Sequence, residues 1–267
     1  MGPPLRLQRA ADVAVAPHRR VLLAAARPRR RPRRGHGAAA GSRRPHRAGG
    51  PGRPLGAAGP ALGRVTGGAG GDGGPAAERW RAALEAWALP EAILAQAPED
   101  PWRLPVEPFL AVAGAPLSVS HRRALEALPP GGRVLDVGAG GGAMSRPLAA
   151  AGAHIVAVDT AEEMLAASGA ATTVLGRWPD VAPVAGIADV VVCGHVLYNC
   201  PDLAAFARAL GAAAQRRVVV EITDLHPRVS AEDQALWHHF WQLERPEGPG
   251  WEDAVAVLRE VGIEPAV

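Results

Sequence analysis

The run Val134-Leu135-Asp136-Val137-Gly138-Ala139-Gly140-Gly141-Gly142-Ala143-Met144-Ser145 constrains the fold more than any other stretch of the chain. A short, almost wholly apolar segment leads into glycines at 138, 140 and 142, and these lead into a helix-forming segment. Strands that are continuously apolar rather than alternating are buried on both faces, which is the situation of a parallel sheet covered by helices. Glycine lets the backbone turn tightly and lets a ligand approach where a Cβ would collide. In open parallel sheets ligands bind outside the carboxyl ends of the strands. The one run therefore predicts both a fold class and the end of the sheet that carries the site.

The sequence around it agrees. Strands are predicted at 133–137, 155–158, 172–175, 189–193 and 217–222. Helices are predicted at 143–151, with Pro147 in the first turns, and at 161–167, 203–214, 230–241 and 252–261. Ser230 with Asp233 reads as a capping box opening the fourth of these, and Gly262 closes the last. Upstream, Trp80, Leu84 and Trp87 fall on one face of a helix, Pro90 opens a short second one, and Ser118 or Ser120 caps a third at 121–128. Alternating strands and helices of this kind predict a doubly wound α/β domain, a mostly parallel Rossmann-like sheet with helices on both faces.

Charge divides the chain. Residues 1–75 hold 15 Arg against Asp12 and Asp72, a net +13, whereas residues 76–267 hold 14 Arg against 24 acids, a net −10. The first segment is 16 Gly and 10 Pro in 75 residues, above the roughly 25% that marks low-complexity chain, and no helix or strand period is visible in it. It reads as a disordered basic extension, as sequence upstream of a misplaced start, or as an arm for nucleic-acid phosphates; no aromatic is interleaved to stack on bases. The expected division is a disordered extension at 1–75, a helical cap at 76–128, and a cofactor domain at 129–267.

No apolar run approaches the roughly 18–20 residues of a spanning helix, and the short run at 21–26 is followed by arginines, the wrong order for a secretory signal. Cys193 and Cys200 do not make a disulfide framework or a CxxC site, and no metal-ligand set is evident. A cytoplasmic protein, not attached to membrane, is the expectation.

Two cofactors fit the glycine loop. Gly138-x-Gly140-x-x-Ala143 matches the nicotinamide dinucleotide fingerprint. Asp136, however, stands two residues before the first glycine. A carboxylate there repels a pyrophosphate and suits a ligand bearing an ammonium or sulfonium. Asp159, at the end of the second strand, has the position of an acid that accepts from ribose hydroxyls.

The Asp-x-Gly-x-Gly-x-Gly run resembles the first motif of class I S-adenosylmethionine-dependent methyltransferases, of the small-molecule kind with unassigned substrate. His154-Ile155-Val156-Ala157-Val158-Asp159-Thr160-Ala161-Glu162-Glu163-Met164-Leu165 is similar to that family's second motif. The stretch from Ala188 to Asp202 is similar to its fourth-strand region. The resemblance implies that Gly138, Gly140 and Gly142 pass under the amino-acid part of S-adenosylmethionine and that Asp136 sits near its ammonium. It implies that Asp159 holds the ribose, that Thr160 and Met164 border the adenosine, and that Cys193, Gly194 and His195 flank the methionine moiety.

Two departures stand out. Arg177 occupies the place of the acid that receives the adenine amino group, so Trp178 is expected on the adenine face, with Asp180 as an alternative carboxylate. The family's sheet usually closes with two more strands, and 263–267 leaves room for one short one. The terminal strands are expected to be missing: either the chain is truncated, or the edge of the strand at 217–222 is covered by a partner or by the amino-terminal segment. For catalysis, His195, Tyr198 and His226 follow strand ends and are the candidate proton acceptors for a small-molecule methyl acceptor. A nicotinamide oxidoreductase and a non-catalytic or RNA-associated protein retaining the fold are the competing readings. The oligomeric state has no signal in the sequence.

Overall fold

The computed structural model describes residues 19–25, 73–96, 105–107, 110, 116–224 and 231–267. Five parallel strands form its centre: β2 (Arg133–Val137), β3 (His154–Asp159), β4 (Thr172–Leu175), β5 (Ala188–Gly194) and β6 (Ala214–Thr223). A further strand, β1 (Arg19–Ala25), adds to the edge of β6 in antiparallel register, Leu22 opposite Val220, giving the order β1-β6-β5-β2-β3-β4. The order reverses at β2, whose neighbours are β3 and β5. This is the switch point at which such sheets hold their ligands.

The strands are where the apolar runs place them because β2, β3, β5 and β6 are buried on both faces, whereas β4 is a largely exposed edge strand. Leu135, Val137, Val191, Cys193, Val218, Val220 and Ile222 face one helical layer. Val134, Val190, Val192 and Val219 face the other. The first layer contains α1 (Pro75–Trp87), α7 (Leu203–Ala213) and α9 (Trp251–Glu260). Trp80 is fully buried there and its indole N–H donates to the Cys200 carbonyl at 2.8 Å. The Glu260 carboxylate accepts from the Ala76 and Ala77 amides at 3.0 Å each, closing the open N-terminus of α1 from the neighbouring helix. The second layer contains α3 (Val119–Ala127), capped by Ser118, which accepts from the His121 amide, and α4 (Arg146–Ala150). The stretch expected as one helical cap is thus divided: α1 and α3 lie on opposite faces of the sheet, because each has an apolar stripe that a sheet face can bury.

Other differences have local causes. Helix α4 starts three residues later than predicted, because 143–145 complete the glycine turn and Pro147 fits only the first helical turn, where its missing N–H has no partner to lose. A short helix, α6 (Ala182–Ala185), was not expected. Helix α2 (Glu91–Leu94) follows Pro90, and α5 (Glu162–Ser168) ends at Gly169 with φ +71°. No strand forms at 263–267, where Ala266 makes a single bridge.

The largest correction concerns 1–75. The expectation of no regular structure fails at Arg19–Ala25, which takes in most of the short apolar run at 21–26. An open β6 edge offers a row of unpaired backbone groups, and a short apolar strand satisfies them. Ala24 packs against the core. The covering of this edge by the amino-terminal segment is the last of the alternatives stated above. The Arg-rich run at 27–34 and the Gly-rich run at 67–72 lie outside the described residues. Among the described residues no helix is long and apolar enough to cross a membrane.

Candidate active site

The glycine loop leaves the carboxyl end of β2 and is tied down by its own backbone. The Gly138 and Ala139 amides donate to the Val158 carbonyl at 2.8 and 3.0 Å, and the Gly142 amide to the Ala139 carbonyl at 2.9 Å. Gly138 (φ +70°) and Gly142 (φ +84°) are in the left-handed region. A Cβ at Gly138 would lie 2.3 Å from Val196 Cγ2, and one at Gly142 would lie 2.4 Å from the Ser168 carbonyl oxygen. Both glycines are therefore required twice, by conformation and by space. Gly140 has φ +51°.

Asp159 closes the loop from β3. Its Oδ2 accepts from the Gly140 amide at 2.8 Å and its Oδ1 from the Ala161 amide at 3.0 Å, ahead of α5. It joins glycine loop, strand end and helix start in one connection, and each oxygen keeps a further lone pair. Thr160 beside it is exposed, and Met164 is buried on α5.

Asp136 lies under this loop, 1% exposed. Neither of its oxygens has a hydrogen-bond partner, and the buried Ser145 hydroxyl has none either. Burial pushes the Asp136 carboxyl up to about 7; the Ser145 hydroxyl, close but outside hydrogen-bond geometry, pulls it down, and the Asp159 charge adds a further upward push. A buried acid without donors is a costly arrangement, and it is relieved by a cation or an N–H donor. Ser145 was not singled out in the sequence; its signal is its place three residues past Gly142.

These facts separate the two cofactors. A dinucleotide pyrophosphate needs free amides at the glycine turn and no carboxylate beneath it. Here the Gly138, Ala139, Gly140 and Gly142 amides already have protein acceptors, and the carboxylate is present. A ligand with an ammonium and a sulfonium meets the donor deficit that Asp136 and Ser145 leave.

Other expected site residues sit elsewhere. Cys193 is fully buried and faces the α1–α7–α9 layer, because strand side chains alternate and Val192 takes the face shared with Asp136. Its side chain is core, and burial raises its thiol pKa well above the ordinary range. Trp178 is likewise core, 6% exposed, with its indole N–H directed at the Phe206 carbonyl at 3.4 Å. The indole is packed into the core beside α7 and does not present a face for adenine. Tyr198 is buried, its hydroxyl bonded to the Thr223 hydroxyl and accepting from the Thr223 amide at 2.6 Å, which makes it a brace between the 3-10 turn Leu197–Asn199 and β6. Its pKa is raised, chiefly by burial. His226 lies outside the described residues.

His195 is the candidate base that remains partly open, its side chain 34% exposed. It is one of two non-glycine residues with positive φ among those described, at +58°. Its Nε2 lies 3.0 Å from Glu221 Oε1, and its amide donates to the Glu221 carbonyl at 2.8 Å. Glu221 also accepts from the Ser120 hydroxyl at 2.5 Å. Sequence reasoning missed this connection, since Ser120 is on α3 and Glu221 on β6. A cleft of about 310 Å³ lies apart from all of this, between Gln234, His238, Glu244 and Arg245 near the end of α8 (Ala231–Trp241). Arg245 there stacks over the rings of Trp87 and Trp237 at 4.1 and 4.9 Å. Among the described residues no group of three or more His, Cys, Asp and Glu is placed to hold a metal ion.

A switch-point glycine loop with a buried acid beneath it and a second acid at the next strand end defines a Rossmann-like cofactor domain for a cationic nucleoside. Residues 115–253, more than half of the chain, match the model of the methyltransferase domain family, and the chain belongs to that family. Among curated relatives it is similar to the ubiquinone biosynthesis O-methyltransferase of Aromatoleum aromaticum, 36% identical over 88 residues covering 30% of this chain and 38% of that one. The Xanthomonas axonopodis pv. citri enzyme of the same name is 37% identical over 90 residues, again 30% and 38% of the two chains. The matched stretch thus spans about two fifths of the length of these relatives. Among solved structures, magnesium protoporphyrin IX methyltransferase from Synechocystis PCC 6803 with bound SAH aligns with a TM-score of 0.41 at 23% identity, covering 54% of this chain and 69% of that one.

Proposed function

We propose that this protein transfers the methyl group of S-adenosylmethionine to a hydroxyl of a small-molecule acceptor. The observation that carries the reading is Asp136: a fully buried carboxylate with no donor, set under a glycine loop at the sheet's switch point. S-adenosylmethionine supplies a methyl group on a positively charged sulfur, a good leaving group, so that positioning and exclusion of water provide much of the rate.

The chain's own residues take the following parts. Asp136, with Ser145, receives the ammonium. Gly138, Gly140 and Gly142 pass beneath the amino-acid moiety. Asp159, already fixed by two amides, uses its remaining lone pairs for the ribose hydroxyls, with Thr160 and Met164 at the adenosine border. His195 takes up the proton that a hydroxyl acceptor must lose. The names of the relatives, O-methyltransferases of ubiquinone biosynthesis, support an oxygen acceptor on a small molecule. The two free thiols fit a reducing, cytoplasmic setting.

The test is calorimetric titration of S-adenosylmethionine, with NADH as control, into the full chain and its Asp159→Ala variant, followed by methylation of catechol as a neutral hydroxyl probe. Binding of S-adenosylmethionine at micromolar Kd, weakened at least tenfold in the variant, is expected. Binding of NADH alone, or of neither ligand, sinks the reading.

A further inference from the structure

Glu221 and Ser120 are buried, polar and used by nothing in the reading above. Glu221 is opposite Gly194 in the β5–β6 ladder, and its side chain is 3% exposed. It holds His195 twice. Its main-chain carbonyl accepts the His195 amide at 2.8 Å, and its Oε1 faces the ring Nε2 at 3.0 Å. Its other oxygen is occupied by the Ser120 hydroxyl from α3, which leaves Oε1 directed at the imidazole. His195 meanwhile holds a left-handed backbone conformation that a non-glycine residue keeps only when its surroundings impose it. Three elements therefore converge to fix one ring that is a third exposed.

The chemistry of the pair sets the tautomer. A carboxylate only accepts, so Nε2 carries the hydrogen and Nδ1 presents its lone pair. Among the described residues Nδ1 has no partner. From this geometry we propose that Glu221, anchored by Ser120, is a positioning residue that locks the His195 imidazole with Nδ1 turned outward as the proton acceptor for the methyl acceptor's hydroxyl.

The inference rests on the methyl-transfer reading for its reaction, though not for its geometry. In that reaction the O–C bond forms as the C–S bond breaks, the C–S electron pair stays on sulfur, and the hydroxyl proton passes to His195 Nδ1. The imidazolium so formed faces the Glu221 carboxylate, which offsets its charge. The proton leaves to water from the exposed side of the ring.

Protein labelled with ¹⁵N-histidine reports directly which ring nitrogen bears hydrogen, and the His195 signals are assigned by their loss in His195→Ala. In the wild type a single tautomer is expected, Nε2 protonated and Nδ1 bare. In Glu221→Gln both nitrogen signals move toward averaged or inverted positions. In Ser120→Ala, the variant less disturbing to the fold, they move the same way by less. S-adenosylmethionine affinity stays within twofold of wild type in both variants. With catechol as the acceptor, Glu221→Gln lowers kcat at least tenfold at unchanged KM for S-adenosylmethionine. The proposal is overturned by a wild-type ring protonated on Nδ1, by ring signals that coincide in wild type and both variants, or by an unchanged kcat in Glu221→Gln. Failure of the wild type to bind S-adenosylmethionine overturns the cofactor reading instead, and the ring spectra still decide the role of Glu221.

Discussion

Asp136 is a residue whose charge state the fold works against. Its folded pKa, about 7, stands above the ordinary carboxyl value of 3.8. A raised carboxyl pKa means that the native state binds more protons than the unfolded chain between those two values. The associated stability is fully present below about pH 4 and is lost as pH rises through 7, by roughly 4 kcal/mol in all. Denaturant midpoints measured from pH 4 to 8 should fall across this window in the wild type and much less in Asp136→Asn, and parallel slopes would refute the assignment. The same variant should bind S-adenosylmethionine more weakly, since it loses the charge that faces the ammonium. Gly142 gives a second prediction. Its φ of +84° and the 2.4 Å approach of a built Cβ to the Ser168 carbonyl together predict that Gly142→Ala destabilises the protein by about 1–3 kcal/mol, read as a lower thermal midpoint. The sequence makes Asp136, Asp159 and the glycines legible because their roles follow from local order along one strand and turn. It leaves Glu221 and Ser120 unmarked because their meaning arises only when α3 and β6 meet across about a hundred residues of chain.

Among the elements, β2, β3, β5 and the second half of β6 are readable because each is dominated by an apolar run, the pattern of a strand buried on both faces; β4, exposed at the sheet edge, is readable from its β-branched residues instead. Trp178 and Cys193 show the limit of that reading. Their positions along the chain are those of ligand neighbours, but side-chain alternation and the room under α7 send both into the core. Strand β1 shows a different limit. Its seven residues sit within low-complexity sequence, and what makes them a strand is the unpaired edge of β6. Replacing Leu22 and Leu23 together by proline must remove at least one ladder donor, since N–H groups alternate between the two sides of a strand. Sedimentation of this variant should show concentration-dependent self-association beyond that of the wild type, because the β6 edge becomes available to other copies. Identical sedimentation would mean that β1 does not protect that edge.

At the scale of the whole molecule the ligand and the fold are one equilibrium. A ligand that binds only the native state adds about 2.7 kcal/mol of stability at a concentration 100 times its Kd. S-adenosylmethionine should therefore raise the unfolding midpoint in proportion to the logarithm of its concentration, while NADH should leave it in place; equal shifts from both would return the nicotinamide reading.

The position of β1 also sets a timetable for synthesis. It pairs with β6 in the register Ala25 opposite Arg217, so this strand, once it leaves the ribosome, waits for a partner that is translated roughly 200 residues later. At about 5–20 residues per second that interval is on the order of ten to forty seconds. Late in it, once residues 133–194 have been made, the central strands can begin to assemble, and all the while the nascent chain carries β1 as an unpaired apolar strand. Completion of the sheet is then a late, long-range closure, of the kind that makes folding slow and chaperone contact worthwhile.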